Sequence, residues 1–194
     1  MMEVFHSIQG EGFHQGKSAG FVRLGGCDVG CHWCDVKASW EADQHPLLSI
    51  DEITETVAPY TSEIVIVTGG EPVMYDLGPL TNGLRAIGKK THLETSGTSL
   101  LTGNWDWITF SPKKFKAPLD EYFEKADELK VIVFNNSDLK WAEGLANRVK
   151  KDCRLYLQPE WDKREEMTPG ILSFIQSDPR WRLSLQVHKY LGVR

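Results

Sequence analysis

Short apolar runs rich in β-branched residues alternate along the chain with segments of helical spacing. The clearest run covers residues 63–67 and is almost continuously apolar, which is typical of a strand buried on both faces of a parallel sheet. Because strand and helix patterns alternate, the sequence predicts βα units around such a sheet. Further strands are predicted at residues 21–24, 91–94, 107–110, 129–134 and 154–157.

Helices are predicted between these strands from capping signals and apolar spacing. Residues 49–52 form a capping-box pattern, so a helix is expected to start there and to stop near Pro59. Apolar residues within 77–87 share one helical face. Two further helices are expected, one over residues 137–149 and one that has Pro169 in its first turn.

The last part of the chain alternates apolar and polar side chains. Residues 181, 183, 185 and 187 are apolar, whereas residues 182, 184, 186 and 188 are polar. This period of two predicts a closing strand with His188 on its polar face.

The number of units predicts a reduced barrel. About six strand–helix units are too few for an eight-unit barrel, which typically needs about 250 residues. We therefore expect an α/β fold, a partial barrel of the (βα)6 type, in a single domain spanning residues 1–194. In such barrels the chemistry gathers at the carboxyl ends of the strands. The polar motifs expected at this rim are Gly26-Cys27, Thr68-Gly69-Gly70-Glu71, Glu94-Thr95-Ser96, Ser111-Pro112-Lys113 and Gln158-Pro159-Glu160.

Charge and composition exclude several function classes. The chain has 22 basic and 27 acidic residues and a net charge of −5, which argues against a large nucleic-acid interface. No window approaches twenty consecutive apolar residues, so no membrane span is expected. Three of the four cysteines crowd into eight residues, which favours metal binding in a reducing, cytoplasmic compartment over disulfides.

The crowded cysteines are Cys27, Cys31 and Cys34. Three thiolates can hold three irons of a [4Fe–4S] cube and leave the fourth iron open for a cofactor or substrate. Structural zinc is the alternative, but it needs four ligands. His32 lies within the triplet, whereas Cys153 is distant and is predicted to be a small buried apolar side chain.

The Cys-x-x-x-Cys-x-x-Cys triplet, with Trp33 before its third cysteine, resembles the radical S-adenosylmethionine superfamily. Gly69-Gly70-Glu71-Pro72 resembles a second motif of that superfamily. The resemblance implies a [4Fe–4S] cluster and S-adenosylmethionine as cofactors, with a 5′-deoxyadenosyl radical that abstracts hydrogen from the substrate. The cofactor-binding residues it implies are Gly70, Glu71, Ser96, Ser111, Pro112, Lys113 and Gln158.

Two terminal motifs narrow the resemblance. Residues 7–12, Ser-Ile-Gln-Gly-Glu-Gly, and residues 185–192, Leu-Gln-Val-His-Lys-Tyr-Leu-Gly, resemble the 7-carboxy-7-deazaguanine synthase family. The resemblance covers nearly the whole chain. It implies a lyase of queuosine biosynthesis that contracts 6-carboxy-5,6,7,8-tetrahydropterin to 7-carboxy-7-deazaguanine and releases ammonia. It also implies a homodimer and a flavodoxin-type electron donor.

Substrate contacts are expected near both ends of the chain and at the rim. A pterin has a flat edge of donors and acceptors, and its carboxylate needs a cation. Arg23 is expected to bind that carboxylate, with a surface ion pair as the alternative, and a structural role is the alternative for His188. The substrate-binding residues implied are Ile8, Gln9, Gly10, Arg23, Thr68, His188 and Arg194.

One departure from the family pattern concerns magnesium. Family members commonly carry a hydroxyl residue after the Asp that follows the third cysteine, and that hydroxyl helps to hold Mg²⁺. Here the pair is Asp35-Val36, and Val36 has no oxygen. A hard cation would therefore depend on Asp35, substrate oxygens or water.

Two other functions fit parts of the sequence. A glycyl-radical-enzyme activase also uses the cysteine triplet in a compact chain, but its site must open to a large polypeptide. A zinc-stabilised binding module could use the three cysteines and His32 without catalysis.

Overall fold

The computed structural model describes residues 1–194 and contains one sheet of eight strands in chain order. The first strand pairs antiparallel with the second, and every later neighbouring pair is parallel. The strands are β1 Glu3–Ile8, β2 Ser18–Leu24, β3 Ile64–Gly69, β4 Lys90–Thr95, β5 Trp107–Phe110, β6 Glu128–Val133, β7 Arg154–Pro159 and β8 Trp181–Leu183. The predicted α/β partial barrel is confirmed.

Six α-helices accompany the sheet, and none is long and apolar enough to cross a membrane. They are α1 Ile50–Val57, α2 Gly78–Ala86, α3 Glu121–Lys125, α4 Ser137–Ala146, α5 Arg164–Ser177 and α6 Val187–Leu191. The predicted capping box is present at α1, where the Glu52 N–H donates to Ser49 Oγ at 3.2 Å and the Ser49 N–H donates to the Glu52 carboxylate at 2.7 Å.

Each inner strand divides its side chains between two environments. In β6, Leu129, Val131 and Val133 are fully buried in the main apolar core, which has 28 buried residues. Glu128 and Lys130 alternate with them and face the concave side of the sheet, where they are also buried. The concave face is therefore polar, and it provides the interior of the site.

The N-terminal strand and two helix bounds differ from the prediction. β1 was not predicted because its polar side chains show no strong apolar alternation, and it forms through six residue pairs with β2. α4 ends at Ala146 instead of residue 149. α5 begins at Arg164, so Pro169 lies inside the helix and not in its first turn. Burial of Met167 and Ile171 in the core stabilises α5 despite the missing proline N–H.

The prediction of one long closing strand is wrong. β8 ends at Leu183, and residues 187–191 form α6, so His188 lies on a helix and not on the polar face of a strand. The pairing of β8 with β7 stops at Leu157 and Leu183. The chain then folds back, and the Val187 N–H donates to the Gly10 carbonyl at 3.0 Å. A contact with the other end of the chain thus overrides the local alternation.

Candidate functional site

A cavity of about 280 Å³ lies at the carboxyl ends of the strands. All the predicted site residues line it except Pro112, which is buried beside it. The sheet therefore brings together the cysteine triplet, the strand-end motifs and the residues from both ends of the chain. Pro112 is buried next to Ser111, so a contact of Pro112 with the cofactor stays a prediction.

The three cysteines lie on a loop of residues 26–36, here called the Cys loop, which follows β2. The loop is held at its start by backbone bonds: the Gly26 N–H donates to the Ser39 carbonyl at 2.6 Å, and the Glu71 N–H donates to the Gly26 carbonyl at 2.8 Å. A Cβ on Gly70 would lie 2.0 Å from the Gly26 carbonyl oxygen. Gly70 is thus required for this close approach of the two motifs.

The three thiols of the Cys loop line one cavity and can act together as cluster ligands. Cys27, Cys31 and Cys34 are free, half-buried and directed to one cavity. Burial raises the pKa of Cys31 to about 11, and the nearby Lys113 partly opposes that shift. A [4Fe–4S] cube would offer each of the three thiolates its own iron.

The other candidate zinc ligands lie elsewhere. The His32 ring packs against Trp33 and Phe134, with centroid distances of 4.4 and 5.1 Å. Cys153 is buried in the main core, and its burial raises its pKa to about 12. The predicted buried, apolar character of Cys153 is confirmed.

Glu71 fixes the geometry of the rim next to the Cys loop. Its carboxylate accepts hydrogen bonds from the Val73 N–H at 3.4 Å, the Thr95 hydroxyl at 2.5 Å and the Ser96 N–H at 2.8 Å, and also from the Ser96 hydroxyl. Glu71 is almost fully buried. These hydrogen bonds hold the end of β4 next to the Gly-Gly-Glu-Pro motif. A contact of Glu71 or Ser96 with a ligand stays a prediction.

The basic segment 113–116 folds over the Cys loop. Lys116 Nζ lies 2.5 Å from the Asp28 carboxylate, within that loop. Lys113 Nζ donates to the Ser111 carbonyl at 2.5 Å and to its hydroxyl at 2.9 Å, and burial lowers the pKa of Lys113. Lys113 lines the cavity, so one ammonium lies beside the thiols.

The opposite wall is formed by residues 9–16, here called the Gln9 loop, which joins β1 to β2 and crosses the concave face. Gln9 Nε2 donates to the Glu94 carboxylate at 2.8 Å, and Gln9 Oε1 accepts from the Glu11 N–H at 3.0 Å. Thr68 also donates to Glu94, at 3.3 Å. On the far side, the Gly12 N–H donates to Ser184 Oγ at 3.0 Å, and that hydroxyl donates to Gln158 at 2.7 Å.

Two charged residues of β6 anchor the Gln9 loop. Lys130 forms a short ion pair with Glu11, and Glu128 accepts from the Phe13 N–H at 2.9 Å. Gly12 has φ +63°, and a Cβ there would lie 2.0 Å from the Glu128 carboxylate. Glycine at position 12 is therefore required both for the backbone turn and for the close approach of the loop to Glu128.

Burial and charge set the protonation of this anchor. Burial raises the pKa of Glu128 to about 7, although Lys130 opposes the shift. Burial alone would lower the pKa of Lys130, but the carboxylates of Glu11, Glu94 and Glu128 outweigh it and raise that pKa. Burial alone would raise the pKa of Glu11, and Lys130 lowers it. Lys130 and Glu11 are therefore held as a charged pair.

The two predicted substrate arginines share one acidic partner. Arg23 Nε lies 2.9 Å from Glu3 Oε1, and Arg194 Nη2 lies 3.0 Å from Glu3 Oε2. Both guanidinium groups also lie over the Phe5 ring, 5.8 and 5.5 Å from its centroid. The ion-pair alternative for Arg23 is thus present, and binding of a carboxylate by either arginine stays a prediction.

His188 packs against the Gln9 loop. A Cβ on Gly10 would lie 2.1 Å from His188 Nδ1, so only glycine allows the ring at this distance. Burial lowers the pKa of His188, although Glu11 opposes the shift. The ring lines the cavity as a predominantly neutral group at neutral pH.

Several cavity residues had no contact assigned to them from the sequence. A signal existed for Lys130, because it is a charged position within an otherwise apolar strand, where period-two alternation faces it away from the core. Glu11, Gln186 and Lys189 lie within the two terminal motifs, but no local pattern assigned them a contact. Glu94 was expected at the rim and Asp35 was the expected ligand of a hard cation, and both line the cavity.

The donor set near Asp35 does not fit a divalent cation. The Asp35 carboxylate lies 2.7 Å from Lys189 Nζ and accepts from Gln186 Nε2 at 3.1 Å. Its neighbour on the cavity surface, Val36, offers only an aliphatic side chain. Mg²⁺ needs at least one protein carboxylate beside its waters and substrate oxygens, and the Asp35 carboxylate is already bound by the Lys189 ammonium and the Gln186 amide.

Comparisons with known proteins agree with this geometry. A model described as the radical SAM superfamily matches residues 21–135. The chain is 52% identical to 7-carboxy-7-deazaguanine synthase of Flavobacterium psychrophilum over 193 residues, covering 100% of this chain and 91% of the relative. It is 48% identical to the enzyme of that name from Synechocystis, covering 99% and 92%.

A solved structure is also similar. The crystal structure of QueE from Escherichia coli matches with a TM-score of 0.86 and 32% sequence identity, covering 96% of this chain and 92% of that one. The fold, the cavity and these relatives agree, and the chain belongs to the 7-carboxy-7-deazaguanine synthase family of the radical S-adenosylmethionine superfamily.

Proposed function

We propose that this protein converts 6-carboxy-5,6,7,8-tetrahydropterin to 7-carboxy-7-deazaguanine with release of ammonia, as a radical S-adenosylmethionine lyase of queuosine biosynthesis. The observation that carries the proposal is the meeting of two walls in one cavity: the thiols of the Cys loop on one side and the polar Gln9 loop on the other. The relatives that bear the enzyme's name extend over the full chain.

The cofactor wall has a specific division of roles. Cys27, Cys31 and Cys34 hold the [4Fe–4S] cluster, and the neighbouring rim binds S-adenosylmethionine. When bound, this pair supplies the one-electron chemistry that abstracts a hydrogen atom. Gly70 lets the backbone approach, and Glu71 keeps Ser96 in place. The proposed cofactor-binding residues are Gly70, Glu71, Ser96, Ser111, Lys113 and Gln158, with Pro112 supporting them from below.

The substrate wall offers groups that suit a pterin. The Glu94 carboxylate is an acceptor for its N–H donors, and the Gln9 amide donates to that carboxylate and accepts from the Glu11 backbone N–H. Arg23 and Arg194 line the cavity near β1, and the substrate carboxylate would compete with Glu3 for their guanidinium groups. The proposed substrate-binding residues are Ile8, Gln9, Gly10, Arg23, Thr68, His188 and Arg194.

The cavity also favours a small substrate over a polypeptide. The Gln9 loop crosses the concave face and is bound to β4, β6 and the end of β8, which leaves a volume of about 280 Å³. That volume is close to the lower end of small-molecule sites. An activase for a glycyl-radical enzyme would need a wider opening.

The proposal also covers the cellular compartment, the oligomeric state and the electron donor of the enzyme. We propose a cytoplasmic homodimer that receives its electron from a flavodoxin-type donor. Four free cysteines and no disulfide support a reducing compartment. Size-exclusion chromatography with light scattering and reduction by purified flavodoxin would test the last two statements.

The direct test is anaerobic incubation with S-adenosylmethionine, a reductant and the tetrahydropterin, followed by mass analysis. We expect 7-carboxy-7-deazaguanine, ammonia and 5′-deoxyadenosine from the wild type, and none from Cys31→Ala. A protein with a reducible cluster that cleaves S-adenosylmethionine but never forms the deazaguanine would show that the substrate is a different one.

A further inference from the structure

A lysine ammonium occupies a built cation site on the cavity wall. Lys189 Nζ lies 2.7 Å from the Asp35 carboxylate and 5.0 Å from the centroid of the Trp161 ring. Gln186 Nε2 donates to the same carboxylate at 3.1 Å. A carboxylate on one side and an aromatic face on the other are the two groups that stabilise a cation best in proteins.

The position of this ammonium connects the two walls of the cavity. Asp35 directly follows the last cysteine of the Cys loop, whereas Lys189 lies on α6, whose first residue, Val187, bonds to Gly10 of the Gln9 loop. Asp35, Lys189 and Trp161 all line the cavity. The Lys189 side chain is 20% exposed, so its charge remains accessible from the cavity.

A divalent cation and this ammonium compete for the same oxygen atoms. In the Asp35-Val36 pair, only Asp35 has a side-chain oxygen. Its carboxylate already binds the Lys189 ammonium and the Gln186 amide. A Mg²⁺ ion there would have to displace the ammonium and lie close to it. It would also lack the hydroxyl ligand that Val36 cannot provide.

We propose that Lys189 supplies the positive charge that the family pattern assigns to Mg²⁺, so that this protein acts without a divalent cation. The inference rests on the proposed function. An ammonium has three donors; one is directed to Asp35, and the others are available for the carboxylate and carbonyl oxygens of the bound substrate. Lys189 is thereby a cationic substrate-positioning residue.

The first test measures the wild type without metal. The enzyme, with its cluster intact, is exchanged into buffer containing EDTA and assayed with and without added MgCl₂. We expect rates of 7-carboxy-7-deazaguanine formation that agree within about twofold, because Lys189 and Gln186 already occupy the Asp35 carboxylate. Mn²⁺ added as a spectroscopic substitute, with substrate bound, should show only the signal of the free aqueous ion.

The second test changes the lysine. Lys189→Met should lower kcat/KM by about tenfold to a hundredfold, as expected for loss of a charge-assisted hydrogen bond. Cluster iron and substrate-independent cleavage of S-adenosylmethionine should stay unchanged. Lys189→Arg should retain more activity because it keeps the charge. The control is Lys37→Met, since Lys37 is exposed on the neighbouring segment, lies 6.0 Å from the Trp40 ring centroid and does not line the cavity.

The third test exchanges one cation for the other. The double variant Val36→Thr/Lys189→Met should regain activity only when Mg²⁺ is added. Wild-type turnover that requires Mg²⁺, a bound Mn²⁺ signal or an unchanged kcat/KM in Lys189→Met would each overturn the inference while leaving the proposed function intact. A wild type that forms no product in either buffer would instead overturn the proposed function and this inference with it.

Discussion

The two walls of the cavity are built by different means. On the Cys loop, the three thiols lie within eight consecutive residues, and backbone bonds from Gly26 and Glu71 hold the loop. On the Gln9 loop, the polar groups depend on buried charges from distant parts of the chain: Lys130 and its partner Glu11 are 119 residues apart in sequence. One wall is therefore local in sequence, and the other is assembled by the fold.

Because of this difference, mutations in the two loops should have different effects on activity and stability. The Cys loop carries the chemistry but makes few buried side-chain contacts, so its loss should remove activity without unfolding the protein. The anchor of the Gln9 loop is nearly inaccessible to solvent, since Glu128 is 1% exposed and Lys130 5%. Its loss should change both stability and substrate affinity, because buried charges are costly without their partners.

The largest effect is expected from Cys31→Ala. The variant leaves two thiolates, which cannot hold a cube with one stable open iron. We expect no cluster, no cleavage of S-adenosylmethionine and no product, with an unfolding midpoint close to that of the wild type. Iron and sulfide analysis and product detection check this result. Cleavage of S-adenosylmethionine by the variant would contradict the assignment of the three ligands.

Lys130→Met should have the next largest effect. It removes the cation that faces Glu11 and leaves a buried carboxylate, which costs about 3–5 kcal/mol in comparable ion pairs. Urea unfolding should show the loss, and the KM for the tetrahydropterin should rise while cluster iron stays constant. Adding Glu11→Gln to this variant should recover part of the stability but not the affinity.

The matched control for Lys130 is Lys125→Met. Lys125 pairs with Glu121 across one turn of α3 at 2.8 Å, and its side chain is 50% exposed. Exposed pairs of this kind contribute about 0–1 kcal/mol. Equal losses of stability in the two variants would show that the burial of Lys130 has no special role.

The same division explains what the sequence could predict. The strand cores and the cysteine triplet are local patterns, so residues 107–110 and the motif at Gly69–Glu71 were located correctly. The alternation at residues 181–188 was also real, but it did not predict α6, because the Val187 contact with Gly10 lies outside any local window.

The partners of the site residues could not be predicted for the same reason. Gln9 was identified as a candidate, but its bond to Glu94 joins positions 85 residues apart. Lys189 was visible only as part of a terminal motif, and its contact with Asp35 depends on the return of the chain across the sheet. Sequence patterns thus indicated which residues meet at the rim, whereas the charge pairing among them required the fold.

A smaller effect is expected from Glu128→Gln, which tests the protonation of the anchor. The folded-state pKa of Glu128 is about 7 and its ordinary value is 4.5, so the folded state holds more protons between these pH values. The stabilisation from this group is full below the ordinary pKa and is lost as pH rises through the folded pKa. The free energy of unfolding of the variant should not change with pH through this group. Above neutral pH it should exceed that of the wild type by roughly 1–3 kcal/mol.

Urea unfolding at several pH values from 4.5 to just above the folded-state pKa of about 7 measures how the free energy of unfolding depends on the protonation of Glu128. The Gln side chain keeps an oxygen that can accept the Phe13 N–H, so the loop anchor itself is preserved. Parallel stability curves for the wild type and the variant would mean that Glu128 is ionised throughout.

The smallest effect is expected from Cys153→Ala, which contrasts the fourth thiol with the three of the Cys loop. Cys153 is 7% exposed in the main core, and its weak contact to the Arg154 carbonyl is 3.8 Å long. Replacing it leaves a small cavity and should cost about 1 kcal/mol. Iron content, the electron paramagnetic resonance spectrum of the reduced cluster and product formation should stay unchanged, because a buried thiol with a pKa of about 12 provides no thiolate at neutral pH. Loss of iron from this variant would mean that the cube has a fourth protein ligand and no open corner for S-adenosylmethionine.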